Sequence, residues 1–163
     1  IEASVEQQCE TAASMIAEGG SSARAVSGSD EDGLWNEHAR LGLLDRGALL
    51  KVSVLPTDLA ATLGAIERLA GSRGYVAAGR AGSSVFLLRL LDDVPLQKRV
   101  IEGLRGAFPP GRGSAVVVQG SPELKTHVDV WGPIGDGLSL MRAVKQQFHP
   151  AGVLNPGRGP GGI

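Results

Sequence analysis

The order in which strand-like and helix-like segments follow one another between residues 49 and 119 constrains the fold of this chain most. The predicted elements are a strand, a helix, two strands, a helix and a strand, at residues 49–55, 57–70, 75–78, 85–90, 95–108 and 115–119. The short, glycine-rich stretch Gly79–Ser84 suits a hairpin, which makes its flanking strands antiparallel. This order is that of the split βαβ motif. We therefore predict an α+β, ferredoxin-like fold with an antiparallel sheet and helices packed on one face.

Residues at the ends of these elements support the same order. Pro56 ends the first strand, and Thr57 is expected to be the N-cap of the helix that follows. Pro95 fits the first turn of the second helix, where a missing N–H leaves no carbonyl without a partner. The segment Lys125–Val130 is expected to pair with another element. A final amphipathic helix follows, with apolar residues at helical spacing: Leu138, Met141, Val144 and Phe148.

Two helices are predicted ahead of this motif. The first spans Ile1–Glu18, with Cys9 on its apolar face, where a small buried hydrophobe is expected rather than a reactive thiolate. The second begins at the capping signal Ser29–Asp32, and Ser22–Val26 between the two helices is a candidate strand. We interpret the chain as one domain, 1–163, with a helix and strand lead-in, 1–48, and a tail, 150–163.

Composition excludes several classes of partner. The net charge is −1 and Lys and Arg form no block, which argues against a nucleic-acid partner. No apolar run approaches the roughly 18 residues of a membrane span. One cysteine cannot form an internal disulfide framework and agrees with a reducing, cytoplasmic location. Aromatic residues make up only 4% of the chain, so the core is expected to be aliphatic.

Three patterns that could carry chemistry have simpler interpretations. A phosphate-binding loop opens a helix, whereas a strand follows Gly79–Ser84, so we predict a hairpin turn there. His127 and Asp129 would share one face of a strand, and His149 could add a third metal ligand. Because a His-x-Asp pair is common by chance, we predict hydrogen-bonded histidines and no metal site. Trp131 is expected to pack in the core, with a contact to the final helix or to a partner as the alternatives. A stand-alone hydrolase lacks support, because the chain has no Gly-x-Ser-x-Gly elbow.

The C-terminal residues are rich in glycine and proline. By local preference alone, Asn155 is expected to be extended because a proline follows it, and Pro156-Gly157 suits a type II turn. The segment also resembles the C-terminus of FAD-linked oxidases of the vanillyl-alcohol-oxidase type, and within that group the FAD-binding subunits of bacterial glycolate oxidases. The residues that match the pattern of that family are Phe148, Pro150, Gly152, Leu154, Asn155, Pro156, Gly157 and Arg158. The likeness is strongest over residues 128–157 and weaker back to residue 49.

The resemblance implies the C-terminal domain of an FAD-dependent enzyme that oxidises a small 2-hydroxy acid, with glycolate as the first choice. It implies that the tail meets a flavin held by a separate N-terminal domain, with FAD contacts from Asn155, Pro156, Gly157 and Arg158. Other oxidase subunits, including an iron–sulfur subunit, are the implied partners, and they could bring the protein to a membrane. By itself, this domain is expected to be inactive and to bind no FAD. His149 stands where the family has Asp, which argues against acid–base chemistry at that position.

Two assignments stay open at this stage. Arg80 and Arg89 are the candidates for contact with a substrate carboxylate, although solvent-facing charges would explain them equally well. No catalytic base can be assigned. The alternative class is a non-catalytic, ferredoxin-like regulatory or subunit-assembly domain. Deletion of Leu154–Ile163 separates the two classes, because a regulatory domain does not need this tail.

Overall fold

The computed structural model describes residues 2–40, 46–71 and 74–163, without the side chains of residues 2 and 3. Contacts divide the chain into two compact units, Ile1–Arg40 and Leu41–Ile163. None of the helices in the described part of the chain is long and apolar enough to cross a membrane.

The first unit consists of two helices, α1 (Glu2–Glu18) and α2 (Ser29–Arg40), as the sequence predicts. The candidate strand at Ser22–Val26 is wrong: residues 21–27 have no regular structure. A strand needs a neighbouring strand as hydrogen-bond partner for its backbone. The only sheet among the described residues lies within the second unit. The prediction that Cys9 is buried is also wrong, because residues 4–12 of α1 are all exposed. Amphipathic spacing shows which face is apolar but not whether another element covers that face.

The second unit is built around a four-stranded antiparallel sheet, and it confirms the ferredoxin-like prediction. Its strands are ordered β2-β3-β1-β4 across the sheet. The strands and helices, in chain order, are β1 (Ala48–Val54), α3 (Leu59–Ala70), β2 (Tyr75–Arg80), β3 (Val85–Leu90), α4 (Val94–Ala107), β4 (Gly113–Gln119), α5 (Pro122–His127) and α6 (Gly137–Phe148). Short 3-10 turns occupy Pro56–Asp58, Ala81–Ser83 and Pro160–Gly162.

The core is aliphatic and lies between the sheet and the pair α3 and α4. In β1, Leu50 and Val52 are fully buried while Lys51 between them is exposed. The register places Leu50 opposite Leu88 of β3, so inward-facing residues of adjacent strands meet. The helices contribute buried apolar residues from α3 and α4: Ile66, Val100, Ile101 and Leu104. Burial of each such side chain contributes about 1.5–3 kcal/mol, which makes this layer the main source of stability.

Two local predictions are confirmed and one is corrected. The hairpin is confirmed, because β2 and β3 pair as antiparallel neighbours around Ala81–Ser83. Pro95 lies in the first turn of α4, whose N-cap Asp93 accepts a hydrogen bond from the Leu96 N–H at 3.1 Å. Thr57 is not the N-cap of α3: a 3-10 turn precedes the helix and places Asp58 at that position.

The segment Lys125–Val130 pairs less than the sequence suggests. Residues 125–127 belong to the end of α5. Val130 bonds to β4, because its carbonyl accepts a hydrogen bond from the Val117 N–H at 2.8 Å. His127 therefore ends a helix and does not share a strand face with Asp129. The prediction of a shared face is wrong because Ser121, Pro122 and Glu123 form a strong helix start, with the Ser121 hydroxyl accepting from the Leu124 N–H.

Candidate functional site

The candidate site is the C-terminal tail and the segment Val128–Gly132 against which the tail lies. Helix α6 ends at Phe148, and the backbone N–H of its C-cap residue, His149, donates to the carbonyl of Lys145. The imidazole then holds the chain beyond the helix, because its Nε2 accepts a hydrogen bond from the Leu154 N–H at 2.8 Å. The imidazole therefore ties the beginning of the tail to the end of α6.

The four residues Asn155, Pro156, Gly157 and Arg158 form a tight turn. The N–H of Arg158 donates to the carbonyl of Asn155 at 3.2 Å, and Gly157 has a φ of +72°. Proline followed by a residue of positive φ is the arrangement of a type II turn, so this prediction is confirmed. The extended conformation predicted for Asn155 is wrong, because its φ is +46°. Asparagine is one of the few residues besides glycine that tolerate this left-handed region.

Trp131 anchors the turn to the rest of the domain. Its indole Nε1 donates a hydrogen bond to the carbonyl of Arg158 at 3.0 Å. Its own backbone N–H donates to the Asp129 carboxylate at 3.0 Å, which fixes the segment before it. The expectation of core packing for Trp131 is wrong, since the residue is 39% exposed. The indole instead lies at the surface with its polar edge bonded to the tail.

Arg105 holds the segment that carries Trp131, and this role was not predicted from the sequence. Its guanidinium donates to the carbonyls of Ala115, Asp129 and Val130 at distances between 2.7 and 3.3 Å. The side chain therefore joins α4, β4 and the segment that carries Trp131. Partial burial lowers the pKa of the Arg105 guanidinium, and the charges of Asp129 and Glu102 oppose that shift. An arginine in the last turn of an amphipathic helix looks like an ordinary solvent-facing charge in the sequence.

The turn presents two polar side chains to solvent. Asn155 and Arg158 are both exposed, and within the described residues neither side chain has a hydrogen bond or an ion pair. Three apolar side chains flank the turn and are also exposed: Phe148, Val153 and Leu154. An amide can donate and accept, and a guanidinium donates in a planar fork that suits phosphate or carboxylate. The turn can therefore bind oxygen and nitrogen acceptors on a partner or a cofactor.

The two candidate substrate arginines lie far from each other. In the hairpin register, Arg80 pairs with Val85 next to the turn, whereas Arg89 pairs with Val76 at the other end. Four residues along a strand correspond to about 13 Å. Arg80 is exposed, while Arg89 is fully buried and donates to the Arg46 carbonyl at 3.3 Å and to the Gln119 side chain at 3.2 Å. Arg80 is thus accessible to a ligand and Arg89 is part of the packed sheet.

The residues weighed as metal ligands have other roles. His149 bonds to the tail, Asp129 bonds to the Trp131 N–H, and His127 is in the last turn of α5. Within the described ranges, no three His, Cys, Asp or Glu side chains are grouped so that they could hold a metal ion.

Comparison of the chain with protein-family models, with curated proteins and with solved structures found no match. The family resemblance therefore rests on the residues of the tail and on the segment that binds it.

Proposed function

We propose that this chain is the C-terminal domain of an FAD-dependent oxidoreductase that acts on a small 2-hydroxy acid, with glycolate as the first choice. In this proposal a separate domain holds the flavin, and residues 150–163 reach toward it. The flavin would accept the hydride, while this chain would contribute orientation and electrostatics.

The observation that carries the proposal is the hydrogen bond between Trp131 and Arg158. It joins two stretches that take part in the family resemblance, Val128–Gly132 and Asn155–Arg158, which are more than twenty residues apart in the chain. The bond uses the main-chain carbonyl of Arg158 and leaves its guanidinium exposed. A turn that is fixed through its backbone and presents its side chains outward is preorganised for a ligand or partner.

The available donors fit the chemistry of FAD. The Asn155 amide could bond to the polar edge of the flavin ring, which has both donors and acceptors. The Arg158 guanidinium could bind the phosphates of the cofactor or an acidic residue of the flavin domain. For the substrate carboxylate, Arg80 is the better placed candidate, because it is exposed and Arg89 is buried. Other oxidase subunits, including an iron–sulfur subunit, are the partners in this proposal.

The test uses the complete gene product, produced together with the subunits encoded beside it. We expect a flavin absorbance band and reduction of a dye that depends on glycolate. Asn155→Gly keeps the left-handed backbone but removes the amide, so it should release flavin more readily than the wild-type protein. Asn155→Asp keeps the shape of the side chain and removes its N–H donor. Gln146→Ala, at an exposed position on α6, is the control. A complete protein without flavin, or one that retains FAD equally in every variant, would contradict the proposal.

A second candidate is a domain that assembles subunits without taking part in catalysis. The supporting observation is an apolar strip on α6, in which Leu140, Val144 and Phe148 follow at intervals of four residues and are all exposed. Deletion of residues 154–163 separates the two functions. Loss of flavin with assembly intact favours the oxidoreductase, and full activity after the deletion favours the assembly domain.

A further inference from the structure

Strand β2 has a free edge. It is the outermost strand of the sheet, and among the described residues no strand pairs with its other side. Many proteins protect such an edge with a proline, a lysine or a β-bulge, because its unpaired N–H and carbonyl groups can bind another strand. β2 has no proline and no lysine, and its register with β3 is continuous from end to end. The edge is therefore open to pairing with another strand.

Alternate residues of β2 supply the backbone groups at this edge. The pair that follows Tyr75 and Leu90 in the register is Gly74 and Leu91, and here the Gly74 carbonyl accepts a hydrogen bond from the Leu91 N–H at 3.0 Å. In an antiparallel ladder, every second residue turns its N–H and carbonyl toward the same neighbour. The residues in phase with Gly74 therefore bond toward β3. The other three turn these groups toward the free edge: Tyr75, Ala77 and Gly79.

These groups match those of a second copy of the chain. When two β2 strands run antiparallel with Ala77 opposite Ala77 of the second copy, each Tyr75 comes opposite a Gly79. Each of the three resulting pairs can exchange two hydrogen bonds. Gly79 also lines a cavity of about 160 Å³ together with Leu63 and Phe86. The register brings the Tyr75 ring of the second copy to this glycine, and an aromatic ring opposite an edge glycine stabilises a strand pair.

The same register brings opposite charges together. Arg80 comes opposite Gly74 of the second copy, and the two residues lie on the same face of the sheet. Oδ2 of Asp92 is 2.5 Å from the position that a Cβ atom would take at Gly74, so this carboxylate lies where the guanidinium of the second copy arrives. Arg80 and Asp92 are both exposed, and within the described part of the chain neither side chain has an ion pair. Two-fold symmetry makes this contact twice.

We propose that two copies of this chain form a two-fold dimer through β2, with Ala77 on the axis and Arg80 of each copy paired with Asp92 of the other. The four strands of each copy then form one continuous sheet, with α3 and α4 of both copies on one face. The dimer is an alternative to the substrate role of Arg80, but it depends neither on flavin nor on the tail. Because one strand edge is a small interface, we expect a dissociation constant of about 1–100 µM.

Sedimentation velocity of the purified chain at low salt tests the dimer. A reductant is present, because the exposed Cys9 could otherwise join two copies covalently. Between about 1 and 300 µM, we expect the mass to rise from that of one chain toward twice that value. Arg80→Glu and Asp92→Arg should each weaken the dimer about tenfold, since each places like charges together at two positions. The control Arg142→Glu, at an exposed position on α6, makes the same charge change as Arg80→Glu and should leave the dissociation constant unchanged.

The double variant Arg80→Glu with Asp92→Arg tests the register. It restores opposite charges across the axis, so its dissociation constant should return to within about threefold of the wild-type value. Ala77→Pro removes an N–H that points to the free edge and not to β3, so it should abolish the dimer while the unfolding transition is retained. The proposal is overturned if the chain stays monomeric up to about 300 µM, if the double variant dimerises as weakly as the single variants, or if a folded Ala77→Pro protein dimerises normally.

Discussion

The indole N–H of Trp131 and the main-chain carbonyl of Arg158 form a hydrogen bond of 3.0 Å across the base of the C-terminal turn. The indole lies at the protein surface, and the bond joins the segment 128–132 directly to the turn 155–158. The position of the turn therefore depends on an indole N–H, a donor that the phenylalanine ring lacks.

Trp131→Phe should loosen the tail without unfolding the domain. The ring remains, but the carbonyl of Arg158 loses its partner, at a cost of about 0.5–1.5 kcal/mol. Because the bond after Arg158 is a trypsin site at the turn, limited proteolysis should cut there several times faster than in the wild-type protein. The control is Trp35→Phe, which removes an exposed indole bonded to Glu31 in the first unit. Equal cleavage rates at Arg158 in both variants would contradict the anchoring role of Trp131.

Arg105→Lys should destabilise the second unit by about 2–4 kcal/mol. The guanidinium joins three backbone carbonyls through four hydrogen bonds, and an ammonium cannot reproduce this planar geometry. Urea denaturation followed by circular dichroism measures the change. Arg142→Lys, at an exposed position on α6, should change the free energy of unfolding by less than about 0.5 kcal/mol. A similar small change for Arg105→Lys would show that the charge alone matters.

His149→Phe should free the start of the tail. The ring keeps its size but cannot accept the hydrogen bond from the Leu154 N–H. We expect the Leu154 amide to exchange its hydrogen about tenfold faster, as measured by NMR, because its local opening becomes easier. The amide of Leu88 in the centre of the sheet is the internal reference and should exchange at its wild-type rate. Unchanged protection of Leu154 would mean that another acceptor holds it.

Gly79→Ala should disrupt the edge of the sheet, whereas Gly82→Ala should be tolerated. A Cβ atom at Gly79 would overlap the backbone and Cβ of Phe86, the residue opposite it in β3. At Gly82, three residues further along the hairpin, a Cβ atom would meet nothing within 4 Å. We expect a loss of at least about 2 kcal/mol for Gly79→Ala and less than about 0.5 kcal/mol for Gly82→Ala. Thermal denaturation of the two variants gives the comparison, and equal melting temperatures would contradict the close approach of β2 and β3.

Periodicity predicted the sheet domain well, because each element there has one apolar face that is buried. The alternation of Leu50 and Val52 with Lys51 is visible in the sequence, and it is the pattern of burial in β1. Periodicity was misleading for Cys9, since the face on which this residue lies is exposed in the first unit. The pattern records an apolar face, while burial needs a second surface whose position the pattern does not contain.

The candidate site was predicted in part. The turn at Asn155–Arg158 follows from local preferences, since proline and glycine fix it within four residues. The left-handed backbone of Asn155 does not follow from them, because the residue before a proline favours extended conformations. Arg80 and Arg89, the two candidates for contact with a substrate, looked equivalent in the sequence, yet Arg80 is exposed at the hairpin and Arg89 is buried in the sheet.

The order of β1 to β4 with α3 and α4, the antiparallel hairpin and the Pro156-Gly157 turn could be predicted from the sequence. These features depend on interactions between residues that are close along the chain, which spacing and backbone preference encode. The hydrogen bonds from Arg105 to the carbonyls of Asp129 and Val130, and from Trp131 to the turn, are visible only in the folded structure. These partners are 24–27 residues apart. Their contact depends on how the helices pack on the sheet, which the polarity of a single side chain does not specify.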